Sequence, residues 1–540
     1  MKSKYRIFCI SFFCLQFFLF SGIPLRAQRP NILWISCEDM SPRLAAYGDS
    51  TVRTPNIDRL AKEGIVYDRV FTTAGVCAPS RCSIISGVNQ ITAGGQNMRT
   101  LYNTMSEHAG LPKAYAIVPP PEIKAFPEYL RASGYFCTNN SKTDYQFVEP
   151  PTVWDESSSS AGWQKRKPGQ PFFAVYNFMV THESQVWERK NHPQHVDPEK
   201  VPLPPFYPDT KTIRTDVARF YSNIADLDSL IGELVSKLEK DNLLDSTIIF
   251  FWSDHGDGLP FFKREIYDRG IKIPLIIRFP DKRNAGSRNN RLISSIDFAP
   301  TVLSLAGIQP KKYMQGSAFL GKYVGREHQY IYAARDRMDS EPERSRAVRD
   351  GRYKYIRNYH PELPLYQNVA YRLQQETMKE LLAMKEKGTL DSIQIKWFVQ
   401  TKPKEELYDL SVDPWELDNL ASKTSGYPVL ARMRKAMDDW LNLAKDQAEI
   451  PEKEMIKKMW NGQDSIPVTT DVSFQRDGRK VSLVSTTEGA SIGYKIMQAN
   501  VPEPTSWKVY TTPLVLSSGQ KIKAVAQRIG YKKSNETVFE

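Results

Sequence analysis

The stretch Asn31-Ile32-Leu33-Trp34-Ile35-Ser36-Cys37, followed at once by Glu38-Asp39, organises the rest of the chain. A short, nearly unbroken apolar run that ends in polar residues reads as a strand buried on both faces. Two further runs share this character, Phe172-Phe173-Ala174-Val175-Tyr176-Asn177-Phe178 and Thr247-Ile248-Ile249-Phe250-Phe251-Trp252. They too lead into polar residues, Thr181-His182-Glu183 and Ser253-Asp254-His255. Pro55 to Gly64 reads as a helix, with proline at its start, Ile57 and Leu60-Ala61 on one face and glycine at its stop. Strands alternating with helices predict an α/β fold around a parallel sheet. Such sheets gather ligands at the carboxyl ends of their strands. Three strands delivering acids and histidines at corresponding ends therefore predict a site along one sheet edge.

At 540 residues the chain exceeds what one core holds, and its 41% hydrophobic and 25% charged content is that of a soluble globular protein. Strand patterns at Tyr353-Lys354-Tyr355-Ile356 and Glu406-Leu407-Tyr408-Asp409-Leu410, then a helix over about Pro428 to Asp446, predict a smaller subdomain that completes the first. After Gly462 come short alternating strands, Val481–Val484, Gly493–Ile496, Pro513–Leu516 and Ile522–Ala526, which predict a β-sandwich. The string Trp507, Tyr510, Pro513-Leu514, Gly519, Ile522-Lys523-Ala524 and Gly530-Tyr531 resembles the small immunoglobulin-like modules that end bacterial glycan-degrading enzymes. Trp507 and Tyr510 are either glycan-binding rings or core aromatics of a spacer.

Lys2, Lys4 and Arg6 precede an apolar run from Ile7 to Ile23, and Ala27 closes the polar stretch behind it, the layout of a secretory signal over residues 1–27. A retained anchor is the rival reading, but the run is at the short limit for a span and carries Cys14 and Gln16. The expectation is an exported protein, periplasmic or secreted, with no membrane span once the signal is removed and no nucleic-acid partner. Cleavage leaves four cysteines, Cys37, Cys77, Cys82 and Cys137, too few for a disulfide framework in so long a chain. It also lowers the formal charge of +12 to about +8, an excess that suits a polyanionic partner and equally an ordinary lysine-bearing surface.

Cys77-Ala78-Pro79-Ser80-Arg81, backed by Ser83, Ser86 and Gly87, sets a cysteine at the head of a helical pattern. A buried core thiol and a reactive thiolate at a helix N-terminus both fit that place. The string Cys-x-Pro-Ser-Arg is narrower. It resembles the signature of the formylglycine-dependent sulfatases, in which the cysteine is oxidised to an aldehyde after translation. The resemblance runs from Arg29 to about Ala421. It implies an alkaline phosphatase-like α/β domain at 28–345, with a mostly parallel central sheet and flanking helices. A C-terminal α+β subdomain at 346–462 and the immunoglobulin-like β-sandwich at 463–540 complete the expected organisation. It also implies a sulfuric ester hydrolase: one hydroxyl of the hydrated aldehyde attacks sulfur, giving a covalent sulfoenzyme, and the other expels sulfate. A divalent metal, Ca²⁺ for an oxygen-rich site, and a formylglycine-generating maturation enzyme belong to the same implication.

Residue by residue, the family's metal carboxylates fall on Glu38 and Asp39, where two aspartates are usual, and on Asp254 and His255, with Cys77 completing the set. Arg81 matches the arginine that holds the aldehyde hydrate and sulfate. Lys142 matches a second signature in part: Ser141 replaces the usual glycine, and Thr143-Asp144-Tyr145 stand where a histidine is expected. His182 matches the histidine that contacts sulfate and the leaving oxygen. Lys263 matches the lysine that bridges sulfate and leaving group, with Arg264 the alternative if the register slips by one.

Substrate contacts are sought outside this set. The run Arg335-Asp336-Arg337-Met338-Asp339 and the segment Arg344 to Arg349 are dense in charge, and Arg337 and Asp339 are the candidates for touching sugar hydroxyls or neighbouring sulfates. A solvated charged loop is the other reading. Asn97-Met98-Arg99-Thr100 is a second candidate rim. The opening Cys37-Glu38-Asp39-Met40-Ser41-Pro42 resembles a bacterial branch that includes sulfamidase-like and polysaccharide sulfatases. The expected substrate is a sulfated polysaccharide or its oligosaccharides, algal glycan or glycosaminoglycan, cleaved at sulfate esters or sulfamates. A phosphoester or phosphonate hydrolase of the same superfamily and a catalytically dead glycan-binding protein are the rival functions.

Overall fold

The computed structural model describes residues 29–98, 115–423, 428–447 and 449–540. The expected signal at 1–27, and Arg99-Thr100 of the second rim, lie outside them.

Eight strands form the central sheet: β1 (Asn31–Cys37), β2 (Ile65–Tyr67), β3 (Phe136–Asn140), β4 (Glu156–Ser157), β5 (Phe172–Phe178), β6 (Thr247–Ser253), β7 (Leu275–Arg278) and β8 (Ser287–Asn289). Their order is β4-β3-β5-β1-β6-β7-β2-β8. Every pairing is parallel except those of β7, which runs against both its neighbours. The three apolar runs thus lie side by side at the centre, β5 and β6 flanking β1. Alternate residues of each feed different cores, as the pleat requires. Leu33, Ile35, Phe172, Ala174, Ile249 and Phe251 face one apolar cluster. Ile32, Trp34, Phe173, Val175, Phe250 and Trp252 face the other. This is why these strands carry no polar alternation.

Helices cover both faces. On the first, α1 (Pro55–Glu63) and the long α3 (Lys211–Lys240) bring Ile57, Leu60, Ile213, Phe220 and Leu227. On the second, α2 (Cys77–Ser86) and α4 (Phe298–Leu305) bring Ile84, Ile85, Phe298 and Val302. At the centre of that layer Trp34 meets Phe173 at 5.1 Å, Trp252 at 5.2 Å and Phe126 at 5.4 Å between ring centroids.

A four-stranded antiparallel sheet follows, with Ile331–Arg335, Ser345–Arg349, Tyr353–Asn358 and Glu405–Asp409 in sequential order. Its first strand begins ahead of the expected boundary at 346. The helix α5 (Pro428–Ala444) packs on it through Leu430, Met433, Met437 and Trp440. The charged segment of its first two strands is no solvated loop: Arg346 is buried and pairs through both its Nη atoms with Asp336 at 3.0 Å, while its Nε meets Asp446 at 2.9 Å. Dense charge of both signs let the segment neutralise itself inside the fold.

The last residues form two antiparallel sheets of three and four strands around Val472, Val481, Leu483, Ile522 and Ala524. This sandwich is seated on the domain of the central sheet. Ser491 Oγ donates to Glu128 Oε2 at 2.5 Å, Lys124 Nζ donates to Ser491 Oγ at 3.1 Å, and Arg131 donates to the Trp507 carbonyl. Gly530, at φ 84°, comes so near that a Cβ there would stand 2.2 Å from the Ile117 carbonyl oxygen. Trp507 itself packs beneath the Lys495 ammonium and over Gly493.

Replacing Trp34 with alanine removes the ring on which one face of the sheet packs. The expected loss is about 3–5 kcal/mol, read as a lower denaturation midpoint at unchanged slope.

Candidate active site

The carboxyl ends of β3, β5, β1 and β6 share one edge: Asn140 lies beside Tyr176, and Cys37 lies between Phe178 and Ser253. Chain order then dictates what stands there, namely Lys142, His182, Glu38-Asp39 and Asp254-His255. Cys77 meets them as the first residue of α2. Pro79 suits the first turn, whose N–H groups have no helical acceptor. At the other end Gly87 stops the helix at φ 70°, its N–H bonding the Ser83 carbonyl at 2.9 Å. The first turn is pinned to β6 by Ser80, whose hydroxyl donates to the Asp254 carbonyl at 2.6 Å and lies 2.5 Å from Thr72 Oγ1.

Three carboxylates, Glu38, Asp39 and Asp254, are fully buried here. Burial opposes their charged forms, so cations must surround them. Glu38 is bonded by Arg81 on one oxygen and by Lys142 Nζ at 2.7 Å on the other. Against the pull of burial, those two cations hold its carboxyl well below the usual range. Asp39 Oδ2 accepts from Lys263 Nζ at 2.6 Å and from the Glu183 N–H at 2.7 Å. Asp254 accepts from the Asp39 and His255 N–H groups at 3.1 and 3.0 Å and from Arg81 Nε at 3.2 Å. Its burial and the nearby Glu38 charge nonetheless push its carboxyl up to about 7. Arg81 spends further donors on Asn177 Oδ1 at 2.9 Å and Ser36 Oγ at 3.2 Å.

Both histidines are oriented by contacts of their second nitrogens. His255 Nδ1 lies 2.9 Å from the Gly256 carbonyl, which can only accept, so Nδ1 carries a proton. Nε2 stands 3.0 Å from Asp39 Oδ1 and 3.5 Å from Cys77 Sγ, and against the pull of burial the Asp254 and Asp39 charges raise the ring's pKa. His182 Nδ1 lies 3.3 Å from the Ser184 N–H and 3.2 Å from the Ser184 hydroxyl, and its Nε2 lies 3.3 Å from Lys263 Nζ. Burial and the Lys263 charge lower the His182 pKa.

Backbone strain marks the same edge. Asp39 has φ 52°, and Phe261 and Arg264, either side of Phe262-Lys263, have φ 63° and 73°. A Cβ at Gly258 would come 2.9 Å from Asp39 Oδ2.

Of the expected residues, the structure gathers Cys77, Arg81, Glu38, Asp39, Lys142, His182, Asp254, His255 and Lys263. Lys263 turns into the site, while Arg264 grips Glu183 at 2.9 and 2.7 Å. Glu183 also takes Lys263 at 3.0 Å. This pair went unread in the sequence: Glu183 follows His182 visibly enough, but its partner lies 81 residues away. In the place of the missing histidine, Asp144 stands 3.7 Å from Lys142 Nζ. Asp339 is buried behind the site, 3.9 Å from Arg264 Nε. Arg337 is directed elsewhere, to both oxygens of Glu452 at 2.7 and 2.8 Å. Cys37, Cys77, Cys82 and Cys137 are all free thiols, so no bridge claims Cys77.

Comparison with known proteins agrees with this geometry. The sulfatase family model matches residues 30–308, and a model described as N-sulphoglucosamine sulphohydrolase, C-terminal, matches 256–394. A relative from Formosa agariphila, named an ulvan-active sulfatase, is 44% identical over 94% of this chain and 90% of its own length. A solved structure in complex with its substrate D-glucosamine-2-N,6-O-disulfate superposes with a TM-score of 0.55 at 18% identity, covering 79% of this chain and all of the other. The phosphonate monoester hydrolase of Agrobacterium radiobacter superposes at 0.52 and 17% identity over 78% of this chain and 96% of its own. The two superpositions establish the shared fold, and the extended sequence match establishes the rest: this chain belongs to the formylglycine-dependent sulfatase family.

Proposed function

We propose that the protein hydrolyses sulfate esters of a sulfated polysaccharide or its oligosaccharides, with an algal glycan of the ulvan type the favoured substrate. The observation that carries this is the placement of Cys77 Sγ in one buried cluster with Asp39, Asp254 and His255, all ligand atoms within 4.8 Å of one another. The relative active on ulvan supports the substrate class.

The donor set fits a hard divalent cation. Asp39 Oδ1 is buried 3.0 Å from His255 Nε2, and both converge in one cluster with Asp254. We assign Asp39, Asp254 and His255 as the holders of Ca²⁺, with Glu38 on the rim, where Arg81 and Lys142 occupy its oxygens. When bound, the cation supplies acidity to a coordinated hydroxyl. When Cys77 is oxidised to formylglycine, its hydrated aldehyde supplies the hydroxyl that attacks sulfur. The remaining work falls to side chains already in place. Lys142 and Lys263 set positive charge where the sulfate oxygens gain negative charge. His182, beside Lys263, is the group placed to protonate the departing sugar oxygen. The Glu183–Arg264 pair keeps Lys263 from swinging away. No helix of the described residues is long and apolar enough to cross a membrane. We assign residues 1–27 as an export signal, the protein as periplasmic or secreted, and a maturation enzyme as the source of the aldehyde.

Four outcomes test this reading. Cys77→Ala should abolish release of sulfate from ulvan oligosaccharides while leaving the circular dichroism spectrum unchanged. The native protein should show an aldehyde in place of the thiol in the mass of its Cys77 peptide; a plain thiol with full activity defeats the assignment. Saturating Ca²⁺ added to chelator-treated protein should raise the melting temperature, because the ligand binds only the folded cluster. A melting temperature indifferent to Ca²⁺ in both native and Asp254→Asn protein would refute the metal site. Lys263→Ala should lower kcat on an aryl sulfate by about 10²–10³-fold, the usual loss of one donor to a developing anion.

A further inference from the structure

We propose that the cleft between the catalytic domain and the terminal sandwich is a second, non-catalytic binding site for a sulfated glycan chain. The inference rests on the polysaccharide reading above. The cleft measures about 730 Å³ and is walled by both the sandwich and the domain that the sandwich contacts through Arg131 and Glu128.

Its chemistry selects the ligand. Four cations line it, Arg131, Lys165, Lys167 and Lys508. Asp155 takes Arg131 at 2.8 Å and Glu156 takes Lys165 at 2.8 Å. Lys167 and Lys508 are both exposed, come from the two opposing walls, and have no acidic partner among the described residues. Two uncompensated ammonium groups facing a common space favour an anion, and a long-range field adds to its capture. The rest of the lining suits a sugar rather than a metabolite. Thr505, Ser506 and Thr511 offer hydroxyls, and the half-buried ring of Tyr494 offers an aromatic face. Lys508-Val509 is also the outer strand of its sheet. Its outer edge has backbone groups without a strand partner, which are ready hydrogen-bonding positions.

Placement explains what such a site would do. The cleft opens at Tyr135-Phe136, the amino end of β3, whereas Lys142 stands just past its carboxyl end. A strand of this length spans about 16 Å. A polymer held in the cleft therefore leaves the catalytic edge clear, and the two sites act on separate stretches of one chain or on neighbouring chains of an insoluble matrix.

The test uses the full chain carrying Cys77→Ala, so that bound polymer is not consumed, and ulvan immobilised in an affinity gel. Lys167→Glu with Lys508→Glu should weaken retention by at least about fivefold, and the difference should shrink at high salt, as expected for exposed charges. Chemically desulfated ulvan should show little difference between the two proteins. A control carrying Lys240→Glu with Lys387→Glu changes the net charge equally at exposed sites elsewhere and should retain wild-type binding. In the active background, the cleft variant should keep its kcat/KM on an aryl sulfate while losing rate on the polymer. Unchanged retention of the cleft variant, or an equal loss in the control, overturns the proposal. Failure of the unmodified enzyme to turn over any sulfate ester would instead overturn the catalytic reading, so the two are separable.

Discussion

Three carboxylates buried side by side are the constraint on which the rest of this molecule depends. Glu38, Asp39 and Asp254 are fully shielded from water, and an isolated buried carboxylate is too costly to persist charged. The fold answers by converging Arg81 from α2, Lys142 from the end of β3, Lys263 from a strained loop and His255 from the end of β6. Each cation comes from a different element, so the catalytic edge also ties those elements together. The same charges that stabilise these carboxylates are the ones an anionic sulfate would meet.

The central architecture was legible because burial on both faces leaves a plain trace. The runs at β1, β5 and β6 are apolar at consecutive positions, and Trp34 and Ile35 turn out to face different cores. The site was legible for a related reason. Its acids and histidines follow directly on those runs, so strand ends and ligands are neighbours in sequence. The helix predicted from Pro55 was found at Pro55–Glu63, fixed by its proline and glycine.

What escaped reading depends on contacts between distant segments. Nothing local tells that Arg264 will grip Glu183, or that Arg337 will turn to Glu452. The cluster around Arg346 shows the same limit: a charge-rich string looks solvated until Asp446, 100 residues away, joins the nearby Asp336 as its counter-ion. The seating of the sandwich was equally hidden, because it rests on backbone approach at Gly489 and Gly530 and on one carbonyl of Trp507.

The burial of α2 has a consequence for the order of events in the life of the chain. All ten of its residues are inaccessible, and Cys77 keeps only 3% of its surface. A small sulfate group can approach that thiol from the site, but another enzyme cannot close its own active centre around the Cys77–Arg81 segment once α2 is packed. On the proposed formylglycine reading, oxidation by a separate enzyme belongs before α2 packs, and a chain that folds first keeps its Cys77 thiol shut inside the core.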